Sequence, residues 1–320
     1  MKKIAVMTSG GDCPGMNAAI RSVVRTGLAN GIEVYGIEQG YKGLIDGHIR
    51  KLVSREVSNT IQRGGTFLRS ARCMEFKTEA GQKLGLDQLE KHGIEGLVVI
   101  GGDGSLTGAK MLYEKYGVKV ICIPGSIDND IYGTSTSVGV DTALNNIARA
   151  IDMINETASS HDRTFIIEVM GRNCGYLALM SAIACGAEAV IIPELEYNLE
   201  SIIEKIKKRY EEGKSRSIVV VAEGAGSGVD FGKAFQLIGG FDTRITVLGH
   251  LQRGGSPTVF DRILATRMGA AAVEGLMDGR SGVMTALSGR DISFVDLDVV
   301  LSNKRSLDPK LMEIAEDLSV

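Results

Sequence analysis

Six short runs of aliphatic and β-branched residues recur along the 320-residue chain: Ile4–Met7, Leu97–Ile100, Val118–Ile123, Phe165–Val169, Ile218–Ala222 and Ile245–Leu248. Each meets a glycine or proline almost at once and gives way to helical spacing. Runs apolar on both faces read as buried parallel strands rather than half-exposed ones. Between them, Leu144, Ile147, Ala148, Ile151 and Ile154 follow a 3.6-residue period, as do Leu199, Ile202, Ile203, Ile206 and Tyr210. Strand and helix alternating in this way predict an α/β protein whose parallel sheets are covered on both sides. At this length a single core has stopped growing, so two lobes are expected. No repeat of solenoid length, low-complexity tract or proline-rich linker is present, and the lobes must be joined by short crossings.

Composition narrows the function. The net charge of −3 gives no reason to expect nucleic acid or an anionic membrane as partner. The five cysteines, Cys13, Cys73, Cys122, Cys174 and Cys185, form no zinc spacing and read as reduced thiols of a cytoplasmic protein. Lys2 and Lys3 precede an apolar stretch too short for a signal peptide, and the longest apolar runs are strand-sized.

In open α/β sheets ligands bind beyond the carboxyl ends of strands, where loops enter helix N-termini. Here those ends are rich in glycine and charge. After the first run comes Thr8-Ser9-Gly10-Gly11-Asp12-Cys13-Pro14-Gly15-Met16-Asn17, a turn whose glycines would let backbone approach a phosphate. It matches neither a Walker A loop nor GxGxxG. After the second, Gly101-Gly102-Asp103-Gly104-Ser105 opens a helix expected over Leu106 to Tyr116, with Asp103 available to a hydrated Mg²⁺ or, more blandly, Asp103 or Ser105 capping the helix. After the third, Pro124-Gly125-Ser126-Ile127-Asp128-Asn129-Asp130 brings two carboxylates, one able to accept a hydroxyl proton and one to assist a metal. Three more ends carry Met170-Gly171-Arg172, Glu223-Gly224 and Gly249-His250-Leu251-Gln252-Arg253-Gly254-Gly255, groups suited to a sugar phosphate. Alone, His250 reads as a core histidine and a single arginine as a surface charge.

Taken together, GDGS at 102–105, PGSIDND at 124–130, MGR at 170–172 and GHLQRGGSP at 249–257 make the chain closely similar to bacterial-type ATP-dependent 6-phosphofructokinases, from residue 1 to about residue 279. The resemblance implies two Rossmann-like three-layer α/β/α lobes with mainly parallel sheets and the active site in the cleft between them. The larger, ATP-binding lobe would comprise 1–138 and 252–305; the smaller, fructose 6-phosphate-binding lobe 139–251 and 306–320. It implies that Asp128 is the general base toward the sugar 1-hydroxyl, with Ser126 and Ile127 beside it, and that Asp103 holds Mg²⁺ with Asp130 near it. Gly11, Arg72, Cys73, Gly102, Gly104 and Ser105 would contact ATP, and Arg72 and Arg172 would steady the phosphoryl group in transit. Met170, Gly171, Glu223, His250 and Arg253 would hold fructose 6-phosphate within one subunit, while Arg163 and Arg244 would reach it from a neighbour in a homotetramer.

The phosphoryl donor is argued from Gly104 and Gly125, where pyrophosphate-dependent relatives carry Asp and Lys; glycine at both favours ATP. The resemblance also implies an effector site for ADP or phosphoenolpyruvate through Arg21, Arg25, Glu188 and Lys214. Asn155 and Glu212 stand where basic residues are usual, so weak or altered control is expected. Competing readings are a kinase for tagatose 6-phosphate, a pyrophosphate-dependent enzyme, a non-catalytic sugar-phosphate sensor and a dehydrogenase, the last disfavoured by the missing GxGxxG.

Overall fold

The computed structural model describes residues 1–158, 163–213 and 216–318. Its strands in chain order are β1 (Lys3–Thr8), β2 (Glu33–Ile37), β3 (Ile49–Leu52), β4 (Gly96–Gly101), β5 (Val120–Pro124), β6 (Thr164–Val169), β7 (Ala189–Ile191), β8 (Ser217–Ala222), β9 (Thr243–Val247), β10 (Val283–Ser288) and β11 (Asp291–Asp296). They form a 7-stranded sheet, β11-β10-β5-β4-β1-β2-β3, and a 4-stranded sheet, β7-β8-β6-β9. The small sheet is wholly parallel. The large one is parallel from β2 to β10 and carries an antiparallel strand at each edge.

The chain divides into two compact units. The larger contains Met1–Ile127, Ile131–Thr142 and Arg253–Arg305, and the smaller Asp128–Asp130, Ala143–Gln252 and the chain from Ser306 on. Every residue of β4 and β5 is buried, as a strand covered on both faces requires. Tyr41, Phe76, Leu106 and Leu112 pack against the large sheet. In the smaller unit Ile203, Ile206, Phe231 and Phe235 pack against Ile166, Val219 and Val221. The helices Val140–Ala158 and Leu199–Glu211 lie where their apolar periods place them.

Three local expectations are corrected. The run at Val118 starts pairing only at Val120, because the Val118 amide donates to Leu112 O at 3.2 Å and closes the preceding helix. That helix begins at Asp103, not Leu106; Gly102 is its N-cap, and no side chain caps it. The last run is β9, Thr243–Val247, and it is not buried: it pairs only with β6, leaving Ile245 40% and Val247 52% exposed.

Among the described residues, four non-glycine residues have positive φ: Gln39, Asn59, Arg69 and Asn129. Asparagine tolerates this region, whereas an ordinary L-residue in it costs about 1–2 kcal/mol.

Candidate active site

In the larger unit the turn after β1 and the turn after β4 adjoin. Ser9 N donates to Ile100 O at 3.0 Å, and a Cβ placed on Gly10 would lie 3.3 Å from Ser105 Oγ. Ser105 is buried at the start of the helix Asp103–Tyr116, its carbonyl taken by the Tyr41 hydroxyl at 2.6 Å; Tyr41 in turn stacks on Phe76 at 4.2 Å. Asp103 and Gly104 stay exposed at the helix N-terminus, where amide dipoles favour an anion. A Cβ on Gly104 would meet nothing within 4 Å, so no protein packing demands glycine there. At Gly125 a Cβ would reach Met16 Cε at 3.3 Å and Cys13 Sγ at 3.4 Å, and a long side chain would crowd that packing.

Gly11 is exposed and lies against Arg253: a Cβ on it would sit 2.7 Å from Nη1, which donates to Asp12 O at 3.1 Å. Arg253, expected on the sugar phosphate, is thus brought to the turn expected to take ATP. Arg72 is exposed and Cys73 half-buried in the segment that follows. Cys13 is not reactive, since burial pushes its thiol far up and Sγ donates to Val138 O. Among the described residues no group of three or more His, Cys, Asp or Glu side chains could cage a metal. Asp103, exposed at the helix start, instead suits Mg²⁺, which is usually held by one or two carboxylates plus substrate phosphates.

Ser126 and Ile127 close the larger unit's share of the third turn. Asp128 and Asp130 belong to the smaller unit and flank Asn129, which is buried with φ 52°. Both carboxylates act on Cys174, whose thiol is pushed up to about 11, first by burial and then by Glu194, Asp130 and Asp128.

The smaller unit gathers its own strand ends. Glu223 N donates to Val169 O at 2.9 Å and Gly224 N to Gly171 O at 3.1 Å, stitching β6 to β8 beside exposed Arg172. Gln252 ties in the third loop. Only 1% exposed, it accepts from Met170 N at 3.1 Å and donates through Nε2 to Gly249 O at 3.1 Å. Met170, Gly171, Arg172, Glu223 and His250 are therefore brought together, and His250 is exposed rather than a core histidine. Glu168 accepts from Gly228 N at 2.7 Å and holds the segment after Glu223. Sequence reasoning passed over Tyr41, Gln252 and Glu168 as positioning residues.

Arg163 and Arg244 are not part of that group. Arg163 precedes β6 and Arg244 pairs with Phe165, so both lie at the opposite end of the sheet from Met170, about 20 Å away at the rise of a strand. They converge on Asp242: Arg163 Nε to Oδ2 at 2.8 Å, Arg244 Nη1 to Oδ1 at 2.5 Å. The two guanidinium groups hold the Asp242 carboxyl below its usual range.

The effector residues do not form one cluster within either unit. Arg21 and Arg25 lie on the helix Met16–Ala29; burial and the neighbouring Arg25 lower the Arg21 pKa. Glu188 accepts from Ile218 N at 2.6 Å and lies 3.9 Å from Arg209. Lys214 falls outside the described residues. No helix among the described residues is long and apolar enough to cross a membrane.

Glycine-rich turns and exposed or half-buried carboxylates at parallel strand ends, with arginines beside them, define a phosphate-handling α/β protein. Comparison with known proteins places it further. The phosphofructokinase family model matches residues 3–276, and the chain belongs to the phosphofructokinase family. It is 55% identical over 320 residues, all of both chains, to a Halalkalibacterium halodurans protein named ATP-dependent 6-phosphofructokinase. A Thermotoga neapolitana protein of the same name is 54% identical over 319 residues, again covering both chains. Among solved structures, Saccharomyces cerevisiae phosphofructokinase superposes at TM-score 0.90 with 36% identity, covering 100% of this chain and 48% of the yeast one. A pyrophosphate-dependent phosphofructokinase from Marinobacter aquaeolei, 22% identical, shares the fold at TM-score 0.86, covering 97% of this chain and 86% of its own.

Proposed function

We propose that this chain is an ATP-dependent 6-phosphofructokinase, transferring the γ-phosphoryl of ATP to the 1-hydroxyl of fructose 6-phosphate to give fructose 1,6-bisphosphate and ADP in glycolysis. The observation that carries the reading is 55% identity along the entire chain to a protein of that name. Phosphoryl transfer needs positioning and spread positive charge more than covalent chemistry, and the strand-end groups supply both.

Asp128 accepts the proton of the sugar 1-hydroxyl as its oxygen bonds to the γ-phosphorus and the bond to ADP breaks. Ser126 and Ile127 fix the loop that carries it. Arg72 and Arg172 face the charge spreading over the phosphoryl oxygens. Gly11, Gly102, Gly104, Ser105, Arg72 and Cys73 bind ATP, while Met170, Gly171, Glu223, His250 and Arg253 hold the sugar phosphate. Asp103, with Asp130 in support, would hold Mg²⁺, which would neutralise polyphosphate charge. Glycine at 104, where no protein packing requires it, and crowding at Gly125 both support the nucleotide over pyrophosphate, whose enzymes resemble this chain but carry Asp and Lys at these places.

Self-association into a homotetramer with shared sites is part of this reading, and it is supported by Arg163 and Arg244, which lie a strand's length from their own chain's Met170. The exposed edge strand β9, bearing Ile245 and Val247, gives an apolar surface beside Arg244 for another copy. Cytoplasmic location and a weakened response to ADP or phosphoenolpyruvate belong to the same reading.

One coupled assay tests the assignment: ATP against pyrophosphate, and fructose 6-phosphate against tagatose 6-phosphate, with Mg²⁺ and with EDTA. Turnover is expected with ATP, fructose 6-phosphate and Mg²⁺ together. Turnover with pyrophosphate and none with ATP overturns the donor, and preference for tagatose 6-phosphate overturns the acceptor.

A further inference from the structure

The turn after β1 borders a cavity of about 490 Å³ lined by Gly10, Gly11, Asp12, Arg63, Arg69 and Ser70. The segment supplying its two arginines is fastened at every step. Asn17 Nδ2 donates to Arg63 O and Gly64 O, each at 3.1 Å, and Phe67 N donates back to Asn17 Oδ1 at 2.9 Å. Gln39 N holds Leu68 O at 2.8 Å, Thr8 Oγ1 holds Arg69 O at 2.9 Å, and Ser70 Oγ reaches Gly10 O at 2.5 Å. Bound on both sides, Arg69 is locked at φ 59°, a conformation glycine would adopt without strain.

Both guanidinium groups are exposed, and neither donates to a protein acceptor among the described residues. Asp12 is the single carboxylate in the lining, so cationic charge exceeds anionic there. Gly10 in its lining adjoins the GDGS helix start, since a Cβ on Gly10 would lie 3.3 Å from Ser105 Oγ. A rigidly presented fork beside glycine backbone is chemistry for phosphoryl oxygens.

We propose that Arg69, assisted by Arg63, binds the polyphosphate chain of the nucleotide and sets the affinity for it. This rests on the reading of the chain as an ATP-dependent kinase, and it explains why a long side chain stands where the backbone suits glycine. The experiment is Arg69→Gly. Glycine relieves the φ and removes the fork, so the thermal midpoint should hold or rise. The KM for ATP should increase about five- to thirtyfold at low ionic strength, as for a partly exposed charge-assisted contact. ATP affinity measured by calorimetry without sugar phosphate should fall by the same factor. The KM for fructose 6-phosphate should stay within about twofold of the parent, and Arg69→Lys, which keeps charge but not the fork, should fall between. A KM for ATP and a calorimetric affinity both unchanged in Arg69→Gly overturn the proposal, as does a shift confined to the sugar phosphate. The parent enzyme in the same series separates the two claims: parent turnover with ATP beside an unaffected variant removes only the role of Arg69, whereas no parent turnover removes the kinase reading itself.

Discussion

Asn129 is buried with φ 52°, so the carboxylates on either side of it are presented by a backbone conformation few residues accept. That placement gives Asp128 its sharpest test. Asp128→Ser should lower kcat by about 10²–10⁴ while leaving the KM for fructose 6-phosphate nearly unchanged, because a general base acts in the transition state. Steady-state kinetics decide it, and an unaltered kcat removes Asp128 from the role. Gln252 is tested differently, since it acts through the loops it joins. Gln252→Leu leaves Met170 N and Gly249 O without their partner; we expect the KM for fructose 6-phosphate to rise about tenfold, with a smaller change in kcat. Residues of these two kinds were not equally legible in the sequence. Asp103 and Asp128 stand among glycines at strand ends, a local signal. Gln252 and Tyr41 were illegible because their partners, Met170 and Ser105, lie 82 and 64 positions away.

Elements were legible where burial made them uniform. β1, β4, β5, β6 and β8 are apolar on both faces and stood out as runs. β2, in Glu33-Val34-Tyr35-Gly36-Ile37, and β11, in Asp291-Ile292-Ser293-Phe294-Val295-Asp296, mix polar with apolar residues and escaped notice. β9 was misjudged for the opposite reason: an edge strand with apolar residues looks like a central one until its neighbours are known. The start of the helix Val140–Ala158 shows how far apart the parts of one element can lie. Asp261, fully buried, accepts from Gly139 N and Thr142 N at 2.8 Å and from Thr142 Oγ1 at 2.6 Å. Asp261→Ala removes their shared acceptor. Thr142 Oγ1 can still turn to Thr258 Oγ1, but the two backbone donors are left unpaired at about 1–3 kcal/mol each, so a loss of about 2–6 kcal/mol is expected, read from the urea midpoint; a shift below about 1 kcal/mol contradicts the anchoring role.

For the whole molecule the question is whether Arg163 and Arg244 serve the active site of a neighbouring copy. Within their own chain they share Asp242, and the length of the small sheet parts them from Met170 and Gly171. If they serve a neighbouring copy, two defective variants should rescue each other. Arg244→Ser alone should mainly raise the KM for fructose 6-phosphate, and Asp128→Ser alone should keep only the residual kcat expected above, about 10²–10⁴ below the parent. In subunits mixed by unfolding and refolding together, each mixed pair about a two-fold axis holds one site with both defects and one with neither. Random pairing then leaves about a quarter of all sites intact. At sugar-phosphate concentrations too low for Arg244→Ser to work, activity near that fraction of the parent is expected, and it should vanish when the same variants are refolded separately before mixing. No rescue in a refolded mixture whose hybrid assembly is verified by mass would place both arginines outside any shared site. Asp242→Asn extends the argument: it frees both guanidinium groups from a competing carboxylate, so the KM for fructose 6-phosphate should fall, and a rise would mean that Asp242 orients the arginines rather than occupying them.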